Sequence, residues 1–366
     1  MKDKAVIAMS GGVDSSVAAW LMLERGYQCI GITLKLFTND DIEPSANGRA
    51  THKGCCSLDD VNDARAVADR LGMPHYVLNF AGEFRDKVIR RFIETYEQGA
   101  TPNPCIDCNR FIKFSRLLER ARQLEFDTIV TGHYARIEQD GPEGRFLLKK
   151  ALDAKKDQSY VLYAMTQDQL ANTQFPLGEL TKPQVRDIAE ARGFVNARKH
   201  DSQDICFVPD RDYGSFIEQY SGKTFDQGNI IDEEGRILGR HKGLVRYTIG
   251  QRRGLGVAMN EPVYVKAKSV ADNTVTLGPE ESLYTKSLTA SDLNLIAYSR
   301  LERPLRLSVK TRYLQAEQPA IAEQIGEDTL SIEFDAPQRA ITPGQAVVLY
   351  DGDVVVGGGT IKAAEF

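Results

Sequence analysis

The sequence predicts an α/β chain: a doubly wound parallel-sheet domain, then a small central domain, then a C-terminal β-barrel. Three observations carry this. Short apolar runs alternate with helical patterns through the first third of the chain, short alternating strands and glycine turns take over from about residue 205, and the C-terminal stretch carries closely spaced strand and turn signals.

The elements follow in order. "AVIAM" (5–9) is an apolar run of the kind buried in a parallel sheet, and "SSVAAWLMLERG" (15–26) repeats apolar residues at helical spacing before stopping on Gly26. "CIGITLKLF" (29–37) supplies a second strand and completes a βαβ unit. The alternation continues with a helix at 58–72, a strand at 75–80, helices at 82–99 and 111–125, and a strand at 127–135. Ligands of such sheets sit at the C-terminal ends of the strands. Domain boundaries fall near residues 203 and 278, giving segments 1–203, 204–278 and 279–366, the last read as a small closed barrel with turns at "TPG" and "DGD". No internal repeat is present.

The chain has 366 residues, 42% hydrophobic and 27% charged, the composition of a globular protein with two or three domains. No apolar run approaches the roughly 20 residues of a membrane span, and "MKDKAVIAMSGG" has no signal-peptide cleavage pattern, so a cytoplasmic protein without a membrane partner is expected. The six cysteines, Cys29, Cys55, Cys56, Cys105, Cys108 and Cys206, are too few for a disulfide scaffold and read as reactive or metal-binding where they cluster. The net charge of −5 does not itself point to nucleic acid. Basic residues are nonetheless concentrated at 148–156, 192–200, 239–254 and 299–313, with aromatics and glycines interleaved.

Two motifs carry chemistry. In "SGGVDSS" (10–16), between strand and helix, Gly11 and Gly12 let the backbone approach an anion, Ser10, Ser15 and Ser16 add hydroxyls, and the opening N–H groups of the helix face the same place. No Gly-Lys-Ser/Thr follows, so this is not a Walker A loop, and Asp14 reads as a magnesium or pyrophosphate residue. In "TPNPCIDCNR" (101–110), Cys105 and Cys108 form a Cys-x-x-Cys that alone fits a redox disulfide, half a zinc site, part of an iron–sulfur site, or a nucleophile beside a bystander. A structural zinc in a nucleic-acid-binding module would need further ligands, and no second Cys-x-x-Cys or His-x-x-x-His is present.

"SGGVDSS" resembles the loop of the PP-loop ATP pyrophosphatases, of the adenine nucleotide alpha hydrolase-like fold, which split ATP between the α and β phosphates. "TPNPC..CN" (101–109), "TGHYAR" (131–136), "KDQSYVLY" (156–163), "DSQDICF" (201–207), "TIGQRRGLG" (248–256) and "TPGQ" (342–345) then match, in order, the tRNA-specific 2-thiouridylases. That resemblance implies ATP-dependent replacement of oxygen by sulfur at carbon 2 of the wobble uridine, through an adenylated base. It implies Cys206 as the persulfide carrier, Cys108 as the nucleophile, and an ATP site formed by Ala8, Met9, Ser10, Gly11, Gly12, Val13, Asp14, Ser15, Leu34 and Gly132. Asn103, Pro104 and Cys105 would meet the flipped base, and His133, Lys156, Asp157, Gln158, Arg312, Tyr313 and Gln345 the tRNA. The partners implied are lysine, glutamate and glutamine tRNAs and a persulfide donor protein, with ATP and magnesium as cofactors. Arg198, Lys199 and His200 lie upstream of Cys206 and are expected to lower its pKa if they fold against it. One departure stands out: relatives often have aspartate at the position of Cys105. Cys105, Cys108 and Cys206 therefore form an alternative ligand set for a [4Fe–4S] cluster with one open iron. The role of Cys55 and Cys56 stays open, as does the choice between these routes.

Overall fold

The computed structural model describes residues 3–37, 58–141, 144–200, 205–208 and 212–365. Cys55 and Cys56, and the Asp201–Asp204 part of "DSQDICF", lie outside the described residues. The chain forms two compact units, one drawn from residues 1–88, 105–209 and 353–356, the other from 89–104, 210–352 and 357–366.

In the first unit, strand β1 (Lys4–Ala8) leads through helix α1 (Val13–Glu24) to β2 (Gln28–Lys35), then through α2 (Leu58–Arg70) to β3 (His75–Asn79). Strand β4 (Thr128–Val130), the hairpin β5 (Arg136–Gln139) and β6 (Phe146–Lys149), and the short β7 (Thr173–Gln174) follow. The parallel sheet has the order β3-β2-β1-β4-β7, so the strand order reverses around β1. Successive β1 side chains enter different cores, as a pleated strand covered on both faces requires. Ala5 and Ile7 pack with Val17, Met22, Val67 and Val185, while Val6 packs with Ile30, Leu117 and Ile129.

The helical run through the cysteine pair starts earlier than the predicted 111–125. It begins at Pro104–Asp107, passes through a π-helical stretch, Cys108–Arg116, and ends with Leu117–Gln123. Proline fits this start because its missing N–H would have no helical partner in the first turn. The predicted strand 127–135 also ends early, at Val130. A side chain at Gly132 would press within 2.7 Å of Asp14 C and Ser15 N, so the chain leaves the sheet there to pass the start of α1.

The second unit holds two β structures. Strands β8 (Gly228–Ile231), β9 (Ile237–His241), β10 (Tyr264–Ser269) and β11 (Thr274–Gly278) form a sheet of order β10-β11-β8-β9 around Ile230, Val265, Val275 and Leu277. Strands β12 (Tyr284–Leu295), β13 (Leu305–Lys310), β14 (Gln318–Gly326), β15 (Thr329–Arg339), β16 (Ala346–Asp351) and β17 (Val354–Glu365) make the expected barrel, closed where β12 pairs with β17.

Candidate functional site: an anion-binding loop and a cysteine-bearing helix

Residues 9–12 connect β1 to α1 at the point where strand order reverses, the place where doubly wound sheets bind ligands. Gly11 adopts φ +74°, and a Cβ there would lie 2.2 Å from the Asp60 carbonyl oxygen, so only glycine fits. Gly12 caps α1 without any side-chain cap hydrogen bond, which leaves the helix's opening N–H groups for an anion. Ala8, Met9, Ser10 and Val13 shape this turn. Ser15 Oγ and Ser16 Oγ donate to Gly12 O at 3.0 and 3.1 Å, and Ser15 Oγ accepts from Ser10 N at 3.2 Å. The hydroxyls of Ser15 and Ser16 therefore brace the loop.

Asp14 has two partners within the same unit. Lys182 Nζ donates to both of its oxygens, at 2.7 and 2.8 Å, and Tyr134 Oη donates to Oδ1 at 2.8 Å. Lys182 is 7% exposed and its ammonium lies 5.9 Å from the centre of the Tyr134 ring. A carboxylate held this way is the counter-charge of a buried lysine. Lys182 opens a helix, α3 (Lys182–Ala191), whose Thr181 and Gln184 form a capping box. Leu34 lies near the C-terminal end of β2, half-buried, at the same edge of the sheet as the loop.

The cysteines differ in setting. Cys105 and Cys108 stand three residues apart on one helical run, yet Cys105 is exposed and Cys108 is 8% exposed. Beside Cys108, Asn109 donates to Val161 O at 3.0 Å, and its buried Oδ1 has no hydrogen-bond partner. Cys206 is half-buried; its neighbour Phe207 is fully buried against Phe84, ring centres 5.6 Å apart. Cys29 is buried elsewhere, its thiol pushed by burial up to about 11, which makes it inert at neutral pH. Two of the basic residues upstream of Cys206 pair with carboxylates. Lys199 Nζ contacts Asp60 Oδ1 at 2.7 Å and Asp63 Oδ2 at 2.5 Å, and exposed Arg198 pairs with Glu190 at 3.0 Å. Burial pulls the Lys199 ammonium down, but the two carboxylates outweigh it and hold its pKa above the usual lysine value.

Among the described residues, which include Cys105, Cys108 and Cys206, no group of three or more His, Cys, Asp or Glu side chains gathers as a metal site.

Several residues for which the resemblance implies tRNA contact also hold groups of their own chain. His133 is 9% exposed between the rings of Phe114 and Phe175, each 5.8 Å away, with Nδ1 against Thr131 Oγ1 at 2.7 Å. Burial, then the nearby Lys113 charge, holds its pKa well below the usual histidine value. Asp157 accepts from Ala151 N, Ser159 N and Ser159 Oγ, and Gln158 Oε1 accepts from Tyr134 N at 3.0 Å. Both build the turn that carries half-buried Lys156.

In the second unit, Arg312 Nη2 donates to Ile249 O, Ala340 O and Thr342 Oγ1 at 3.4, 2.7 and 2.9 Å. Gln345 Nε2 donates to Thr101 O at 2.9 Å and Pro102 O at 3.1 Å, just ahead of Asn103 and Pro104. Thr101 N donates to Pro343 O at 2.8 Å, and a Cβ at Gly344, whose φ is +88°, would lie 2.9 Å from Thr101 N. The "TPGQ" turn thus clamps the backbone that leads to the cysteine pair. Tyr313 is half-buried beside Arg312.

A loop of this form, at the switch point of a doubly wound sheet, defines a PP-loop protein of the HUP-domain class. Family models agree: residues 3–210 match the tRNA methyl transferase HUP domain, 214–279 the tRNA methyl transferase PRC-barrel domain, and 285–361 the aminomethyltransferase beta-barrel domain. The chain is 50% identical to the tRNA-specific 2-thiouridylase MnmA of Clostridioides difficile, covering 99% of both chains. It is 53% identical to that of Symbiobacterium thermophilum, covering 99% of this chain and 92% of the relative. The chain belongs to the tRNA-specific 2-thiouridylase family. A solved 4-thiouridine synthetase–RNA complex with bound ATP overlaps at TM-score 0.37 and 18% identity, over 60% of this chain and 50% of that one, too loosely to carry weight.

Sequence reading missed Lys182, Tyr134 and Asn196, and gave Lys199 no role at the loop. The nearest available signal for Lys182 was the Thr181-x-x-Gln184 capping box, which marks a helix start and not a site.

Proposed function

We propose that the chain catalyses ATP-dependent 2-thiolation of the wobble uridine of tRNA, with AMP and pyrophosphate as co-products. The observation that carries this is the presence, in one compact unit, of an anion-binding loop built around Gly11 and of the thiols Cys105, Cys108 and Cys206. Uridine O2 attacks the α-phosphorus of ATP, and pyrophosphate leaves into the N–H groups that open α1. Magnesium arrives with the phosphates of ATP, and Lys182, held by Asp14, stands beside the loop.

Sulfur delivery uses a Cys206 persulfide formed by an upstream donor protein. Its terminal sulfur attacks carbon 2 and AMP leaves; the Cys108 thiolate then attacks the Cys206 sulfur, giving a Cys108–Cys206 disulfide and releasing the 2-thiouridine. In a second order of events, Cys108 attacks the persulfide first and releases hydrosulfide, which attacks carbon 2. Both routes leave the same disulfide, which a thiol reductant resets. Asn103, Pro104 and Cys105 flank the flipped base, and Lys156 and Tyr313 meet the tRNA. The expected substrates are lysine, glutamate and glutamine tRNAs.

The test is incubation with ATP, magnesium, a persulfide donor and one of these tRNAs, followed by nucleoside mass spectrometry. Sulfur at the wobble uridine, dependent on ATP, is the expected result; its absence with a competent donor and substrate overturns the proposal. Cys105→Asp retains activity under this route and abolishes it if a cluster carries the sulfur.

A further inference from the structure

We infer that Asn196, assisted by Lys199, is a positioning residue for ATP: it fixes the Gly11–Gly12 peptide plane so that the Gly12 N–H faces the phosphate site. The inference rests on the reading of that loop as the nucleotide site. In a trans peptide the carbonyl and the N–H point in opposite directions, so whatever holds Gly11 O also aims Gly12 N–H. Gly11 O accepts from Asn196 Nδ2 at 3.0 Å and from Lys199 Nζ at 3.3 Å. The same amide group donates to Ser16 Oγ at 2.9 Å, and Ser16 in turn donates to Gly12 O at 3.1 Å.

The clamp answers a particular weakness. A peptide between two glycines rotates at little steric cost, so a Gly-Gly turn by itself does not hold its N–H toward an anion. Asn196 does this from a fully enclosed position, 2% exposed, and its Oδ1 is buried without a hydrogen-bond partner. Gly11 O can only accept, which dictates that Nδ2 faces it and leaves Oδ1 the orphan. A buried acceptor tolerated in this way marks a side chain kept for its donors. Lys199 has a second effect. It offsets part of the charge of Asp60 and Asp63, whose carboxylates would otherwise oppose an incoming polyphosphate more strongly, and the Asp60 backbone packs directly against Gly11.

The test is steady-state pyrophosphate release in the complete thiolation mixture at varied ATP, for the wild type, Asn196→Ala and Lys199→Met. The expected result is a rise of about tenfold in the ATP KM of Asn196→Ala, pyrophosphate inhibition weakened by a similar factor, and a tRNA KM within about twofold of wild type. Lys199→Met shows the same pattern to a smaller degree, and decides the matter alone if Asn196→Ala does not fold. A merely structural role lowers the active fraction and leaves the ATP KM and pyrophosphate inhibition unchanged in both variants, which overturns the inference. A wild type with no saturable ATP dependence overturns the nucleotide reading itself, and the two failures are thereby distinguished.

Discussion

The two units use their motif residues in opposite ways. In the first, the side chains around "SGGVDSS" brace one another, so that the backbone N–H groups of α1 remain for an anion, and the cysteines stand in the same unit. In the second, Arg312 and Gln345 donate to carbonyl groups of their own chain. The difference teaches that a matched motif marks a position without saying how it acts. A residue can meet the substrate, or hold the backbone that does.

The largest expected effect tests the first half of this comparison. Cys108→Ser and Cys206→Ser each lower sulfur incorporation by at least about a thousandfold, because serine neither carries a persulfide nor closes a disulfide. Mass spectrometry of digested tRNA reads the loss, and substantial activity in either variant contradicts the roles assigned. Next comes Asp14→Asn, which leaves the buried Lys182 ammonium without its carboxylate. Unfolding free energy falls by about 3 kcal/mol and pyrophosphate release by about a hundredfold. Denaturant unfolding and a pyrophosphate assay check both, and retention of full activity would show that Asp14 is dispensable.

The second half is sharpened by salt. If Arg312 touched a phosphate, Arg312→Gln would reduce the slope of log affinity for tRNA against log salt by about 1. Bound instead to three acceptors of its own unit, it weakens tRNA binding at every salt concentration and leaves the slope unchanged. Gln345→Ala behaves alike, raising the tRNA KM by roughly tenfold with the ATP KM unaltered.

The smallest effect is a pH dependence. The His133 pKa lies well below its ordinary value of 6.5 in the fold, so below that pH the unfolded chain takes up a proton that the folded chain refuses. Stability then falls as the solution is acidified, by at most about 1.4 kcal/mol per pH unit, and is unaffected above about pH 7. Thermal unfolding from pH 7.5 to 5 measures it as a steeper loss in the wild type than in His133→Phe.

The sequence made the βαβ alternation legible because buried parallel strands are apolar throughout and their helices repeat at a different period. The barrel was legible from its turns. What escaped depends on contacts between distant segments. The strand expected over 127–135 stops at Val130 because Gly132 has to pass the start of α1, and no local pattern shows that. Lys182 looks like an ordinary residue at a helix start, and Asn196 and Lys199 like ordinary turn and loop residues; only the fold brings them to Asp14 and Gly11. The cysteine pair was visible at once, but the helix that buries Cys108 and exposes Cys105 was not.

The central claim is that ATP activates the uridine oxygen before sulfur arrives. Oxygen-18 placed at carbon 2 of the wobble uridine tests it directly. Thiolation by this protein is predicted to transfer the label into AMP, with none in pyrophosphate or water. Label recovered in water, with AMP unlabelled, would contradict the adenylated intermediate.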